Sequence, residues 1–215
     1  SRVTRNDDGS YSICNVVGAD EYANGVDDNA FTNGAAIRAL EYACEAARIC
    51  NEPVPEIWEE VGRGIRILRF KDGVTREHAT YNGEMIKQAD VNLLGYPLYF
   101  VGDAESQKKD MEYYVDKIDP QNGPAMSYSV FCVQYARMGD AKRAYEMFCR
   151  CYQPNLRTPF GVLAETPTSD NPYFMTGAGG LLQAVINGFC GLQITDGGVE
   201  QLSSCLLYTS PSPRD

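Results

Sequence analysis

Two apolar-periodic segments constrain the fold most strongly. Met126 to Met138 and Ala141 to Cys151 each carry apolar residues at three- and four-residue steps, with only Gly139-Asp140 between them. So short a connection between two helical patterns predicts an antiparallel helical hairpin. The rest of the chain repeats the theme. A helix is predicted from Ala30 to Ile49, with Asp28 and Asn29 as N-cap candidates and small residues Ala36, Ala39, Ala43 and Ala47 recurring along it. Pro55 opens a second helix through Ile57, Trp58, Val61 and Ile65. Further helices are predicted over Glu84–Leu94, Glu105–Val115 and Thr176–Phe189. Leu192-Gln193-Ile194-Thr195 alternates like a strand, residues 1–28 read as loop, and Pro154–Tyr173 reads as a long loop.

The order is helix after helix, with a trace of β structure at the end. A tetratricopeptide-like array would repeat about every 34 residues, and no such period is present. An all-α fold is expected, either an open solenoid or a closed toroid of helical hairpins. The unequal hairpins, and the placing of Glu21 and Glu165 in long loops, favour the toroid.

The 215 residues carry a net charge of −10, which argues against nucleic acid and anionic membrane surfaces as partners. No apolar run reaches the roughly 18 residues a membrane span requires. Eight cysteines lack framework spacing, and a single histidine, His78, leaves little for a zinc site. Free thiols are expected, which favours a cytoplasmic setting. No metal or organic cofactor is expected. Ser1 is not an initiator methionine, so the chain is expected to be cut at its start. Cys205–Asp215 reads as the translation of a transposase-type adapter and is expected to be non-native.

Glu21 and Glu165 are a candidate pair of carboxylates for glycoside hydrolysis, one as general acid and one as base or nucleophile. Any acidic chain offers many such pairs. Thr176-Gly177-Ala178-Gly179-Gly180 lacks the strand and the Lys-Ser/Thr of a phosphate-binding loop. Close helix packing is the expected reason for its glycines. Trp58 falls at helical spacing and is expected in the core, and His78 is expected to pack or to face water.

Longer motifs carry a resemblance. They are Gly18-Ala19-Asp20-Glu21-Tyr22 with Asp28-Asn29-Ala30-Phe31-Thr32-Asn33, and Ile86-Lys87-Gln88-Ala89-Asp90-Val91-Asn92-Leu93-Leu94-Gly95-Tyr96-Pro97-Leu98. Gly123-Pro124-Ala125-Met126-Ser127-Tyr128-Ser129, Glu165-Thr166 and Phe174-Met175-Thr176-Gly177-Ala178-Gly179-Gly180 follow in the same order. Over residues 14–203 the chain resembles the C-terminal half of the catalytic domain of glycoside hydrolase family 65. The resemblance implies the second half of an (α/α)6 toroid over residues 1–191 and the first strand of a C-terminal β domain over 192–204. It makes Glu21 the general acid, with partial burial keeping its proton near neutral pH. Lys87 and Gln88 become contacts to sugar hydroxyls. Ala19 stands where the family commonly has Pro.

The family contains phosphorylases and hydrolases. Phosphorylases hold phosphate on a His-x-Ser-Ser type loop, and Gly123–Tyr128 has neither the histidine nor the serine pair. The hydrolases place a Glu before the Gly-rich helix, where Glu165 stands. The chain is therefore similar to the hydrolase branch of glucosylgalactosylhydroxylysine glucosidases and acid trehalase-like proteins. That branch has Trp-Thr where Leu163-Ala164 precede Glu165. The implied activity is inverting hydrolysis of a terminal α-linked glucose, kojibiose-type or glucosyl-galactosyl. Glu165 would act as base, with the two carboxyls about 6.5–9.5 Å apart. The implied partner is an oligosaccharide or glucosylated substrate, and a homodimer of the full-length protein is compatible. A family 65 phosphorylase or trehalase, and a non-enzymatic helical-repeat module, are the alternatives. The 215 residues alone are expected to be inactive.

Overall fold

Helix α1 (Ala30–Ile49) begins where the sequence places its cap: the Asn29 side chain accepts the Thr32 N–H at 2.9 Å. The computed structural model describes residues 2–100, 103–171 and 173–202; the Cys205–Asp215 segment lies outside them. The chain divides into two units, split after Asp119.

In the first unit, residues expected as loop form a hairpin. Strand β1 (Val3–Arg5) pairs antiparallel with β2 (Tyr11–Ile13), Val3 opposite Ile13 and Arg5 opposite Tyr11. Three-residue strands are too short for a clear alternation in sequence. Tyr11 and Ile13 bury against Ile37 of α1 and against Ile65, with Leu40 and Val61 beside them. Helix α2 (Glu56–Gly64) packs on α1. The buried positions of α1 include Ala30, Gly34, Ile37 and Cys44, whereas Ala39 of the small-residue stripe is exposed.

The predicted Glu84–Leu94 helix is absent. Only a short 3-10 turn, Val91–Leu94, forms there. Its backbone groups bond elsewhere: the Ile86 N–H donates to the Lys117 carbonyl, the Asp119 N–H to the Ile86 carbonyl, and the Lys87 N–H to Asp20. These long-range bonds override local helix propensity. Helix α3 (Ala104–Tyr114) follows, capped by Asp103. Met111 and Tyr114 on α3, with Ile86, Val91 and Leu94, are fully buried.

In the second unit, α4 (Met126–Arg137) and α5 (Ala141–Tyr152) form the predicted hairpin, turning at Gly139 with φ +79°. The expected 154–173 loop contains a small hairpin, β3 (Leu156–Arg157) with β4 (Val162–Leu163). Helix α6 (Met175–Gln183) runs into a π-helical turn, Ala184–Phe189. A Cβ on Gly180 would lie 2.5 Å from Ser129 Oγ of α4 and one on Gly177 2.9 Å from Leu163, so these two glycines serve close packing as expected, whereas a Cβ on Gly179 would meet nothing within 4 Å. The predicted strand β5 (Leu192–Thr195) pairs with β6 (Gly198–Gln201). The described residues are thus helix-rich with three two-stranded sheets.

Candidate active site

The loop bearing Glu21 is closed by a two-way backbone bridge between Val16 and Val26. Gly18 allows the loop to dock. A Cβ there would lie 2.3 Å from Asn29 Nδ2 and 2.5 Å from Asp90 Oδ2. The Asp90 carboxylate then gathers donors from two directions. The Ala19 N–H (2.8 Å), the Asp20 N–H (3.3 Å) and Asn29 Nδ2 (3.0 Å) reach Oδ2, and the Phe31 N–H of the first turn of α1 reaches Oδ1 at 3.3 Å. A carboxylate at a helix N-terminus is favoured by the helix dipole. Asp90 thereby locks the acid loop to α1.

The predicted Lys87 and Gln88 converge on the same loop. The Lys87 ammonium pairs with the Glu21 carboxylate, and Gln88 Nε2 donates to the Ala19 carbonyl. The Lys87 N–H also donates to Asp20 Oδ1 at 2.7 Å, which accepts the Tyr22 N–H at 3.2 Å as well. Tyr22 OH donates to Asp119 at 2.8 Å. The structure therefore unites Glu21, Lys87 and Gln88. It differs from expectation in one respect: the Glu21 side chain is 58% exposed, not partly buried, because the loop turns it outward onto Lys87.

Three residues that sequence reasoning left out of the site lie beneath the loop. Asn29 was read only as a cap. Asp90, inside the Lys-Gln-Ala-Asp block, is fully buried, and burial pushes its carboxyl up to about 6 against the pull of its hydrogen bonds. Glu77 is also fully buried, and burial, with Asp90 and Asp20 nearby, pushes it up to about 9. The signal for Asp90 was available: a carboxylate within the same block as Lys87 and Gln88. Glu77 lies in a segment without periodicity, so nothing in sequence marked it. His78 is half-buried, its pKa lowered by burial, with its ring edge on Tyr81. It packs, as expected. A cavity of about 240 Å³ lies beside the loop, lined by Asp20, Tyr22, Glu77, His78, Tyr81 and Glu84 among others.

Glu165 lies in the second unit, just past β4. Its carbonyl accepts the Ala125 N–H and Asn155 Nδ2, each at 3.0 Å. Buried Asn155 also donates to the Ala164 carbonyl at 3.1 Å and accepts the Ala164 N–H at 2.9 Å. These bonds hold the backbone of Glu165 at the start of α4. Arg157 secures the far side of the loop by donating to the carbonyls of Thr166, Pro167 and Ser169.

Comparison with known proteins agrees with these motifs. The model of the glycosyl hydrolase family 65 central catalytic domain matches residues 1–67. A kojibiose hydrolase of Mucilaginibacter mallensis is 48% identical over 206 residues, 96% of this chain and 30% of that protein. The chain belongs to glycosyl hydrolase family 65. A second relative, the protein-glucosylgalactosylhydroxylysine glucosidase of Dictyostelium discoideum, is 38% identical over 88% of this chain and 27% of its own length. The chain thus spans under a third of the length of these curated relatives. A solved structure described as a kojibiose phosphorylase from human microbiome superposes with a TM-score of 0.69 at 19% identity, over 96% of this chain and 36% of that one. That likeness is one of fold.

Proposed function

We propose that this chain is part of an inverting α-glucosidase of family 65 that removes a terminal α-linked glucose, with kojibiose-type α-1,2 linkages as the first substrate class. The observation that carries the reading is the Glu21 loop, in which Lys87, Gln88 and Asp90 of one sequence block fix the position of a single exposed carboxyl group. The 48% identity to a kojibiose hydrolase supports the substrate class.

In the proposed reaction Glu21 donates its proton to the leaving glycosidic oxygen as the C1–O bond breaks. Glu165 takes a proton from the water that attacks C1 from the opposite face, so glucose leaves as the β anomer. Lys87 and Gln88 donate to sugar hydroxyls. The helices belong to the second half of an (α/α)6 toroid, and β5 and β6 open the C-terminal β domain. The absence of a Ser pair and a histidine from Gly123–Tyr128 supports water over phosphate as the acceptor.

The test uses the full-length protein with kojibiose, trehalose and maltose, each with and without phosphate, following the anomer released. β-Glucose formed from kojibiose without phosphate is the expected product. Glucose 1-phosphate formed only with phosphate would overturn the reading, and preference for trehalose would move the substrate class.

A further inference from the structure

We propose that Glu77 is a positioning residue of the acid loop: a carboxyl group kept neutral inside the fold that donates its proton to Asp20 and thereby fixes the backbone carrying Glu21. The inference rests on the reading of Glu21 as general acid.

Three carboxyls are buried where the loop meets the fold, Asp20 in the loop itself and Glu77 and Asp90 beneath it. Their donors are unevenly shared. Asp90 receives four: three backbone N–H groups and the Asn29 amide. Asp20 receives two backbone N–H groups, from Tyr22 and Lys87. No donor reaches either oxygen of Glu77. Carboxyls this close cannot all ionise in a low-dielectric setting, and the proton settles where the charge is least solvated. That group is Glu77, which has no donor on either oxygen and lines the same cavity as Asp20. The groups around Glu77 are Asp20 from the acid loop, Asp90 and Glu84 from the following segment, and the phenols of Tyr81 and of Tyr114 on α3. The adjacent cations are committed elsewhere, Arg76 to the Tyr81 carbonyl and Lys87 to Glu21.

The backbone of Glu77 is itself fixed, because its carbonyl accepts the Ala30 N–H of α1 at 2.7 Å. The carboxyl is therefore a rigid donor on the helix side of the loop. Asp20 immediately precedes Glu21. Loss of the shared proton would set Asp20 against two neighbouring carboxylates, and the loop would move away from the position that delivers the Glu21 proton.

The experiment compares Glu77→Ala, Glu77→Gln and Glu21→Gln in the full-length protein on kojibiose and on α-glucosyl fluoride, whose leaving group needs no acid. Glu77→Ala is expected to lower kcat on kojibiose by about 10- to 100-fold with KM little changed, and on the fluoride by less than about 3-fold. Glu77→Gln retains a neutral donor and is expected to restore kojibiose turnover to within about 3-fold of wild type. Equal losses of Glu77→Ala on both substrates, or Glu77→Gln as impaired as Glu77→Ala on kojibiose, would overturn the proposal. If Glu77→Ala fails to fold, Glu77→Gln decides through Tm against pH. The wild-type fall in Tm toward pH 9 should be diminished in it, and an unchanged fall would overturn the neutral carboxyl. Glu21→Gln separates the two readings, since the acid role itself fails if that variant hydrolyses kojibiose normally.

Discussion

Asp90 and Gly18 meet at the N-terminus of α1, where a Cβ on Gly18 would lie 2.5 Å from Asp90 Oδ2. The loop carrying Glu21 can approach the N-terminus of α1 only because residue 18 has no side chain. Gly18→Ala should therefore displace the loop. The expected cost is about 1–3 kcal/mol of stability, with kojibiose hydrolysis reduced at least about 10-fold. Thermal unfolding and steady-state kinetics of the full-length variant check both.

Asp90→Asn keeps the size of the side chain but leaves one acceptor oxygen for donors that now share two. Buried N–H groups lose their partner at a cost of about 1–3 kcal/mol. The variant should unfold at lower temperature and lose turnover in excess of any change in KM. A Tm equal to that of wild type would contradict the role given to Asp90.

Glu21→Gln removes the transferable proton and keeps the shape. Hydrolysis of kojibiose should fall by about 10²–10⁴-fold. Hydrolysis of α-glucosyl fluoride, which needs no protonation of its leaving group, should fall far less. The ratio of the two rates is the measurement.

Glu77 and Asp90 make stability depend on pH with a determinable sign. Both hold their protons more tightly folded than unfolded, Glu77 up to about 9 and Asp90 up to about 6. The native state therefore binds protons that the unfolded chain has already released. Their contribution is complete below the ordinary carboxyl range and is lost as pH rises, through about 6 for Asp90 and about 9 for Glu77. Denaturant midpoints taken from pH 5 to pH 9 should fall, and a rise across that range would contradict the assignment.

Asn155→Ala removes the amide that holds the carbonyls of Ala164 and Glu165. The expected result is a loss of about 1–3 kcal/mol and turnover lowered about 10-fold on both kojibiose and α-glucosyl fluoride, because water activation serves both substrates. A loss confined to kojibiose would place Glu165 outside the role of base.

Sequence alone determined the elements whose signals are local. Helix α1 ends at the predicted Ile49 and starts at the predicted Ala30, the start being fixed because Asn29 is a cap and a side-chain cap is a three-residue event. The boundaries of α3, α4 and α5 also fall within one residue of expectation; the side chains of Asp103 and Asp140 cap α3 and α5, while α4 begins without a side-chain cap. The motifs also singled out Glu21, Lys87 and Gln88 as members of one site. Tertiary structure decided what those motifs do. Ile86–Asp90 has the composition of a helix, yet its N–H and C=O groups find Asp20, Lys117 and Asp119, residues distant along the chain, and that pairing outweighs a propensity of a few tenths of a kcal/mol per residue. The exposure of Glu21 and the neutrality of Glu77 belong to the same category. Each depends on how many donors and carboxylates the fold places around a group, and that number exists only once distant segments are packed together.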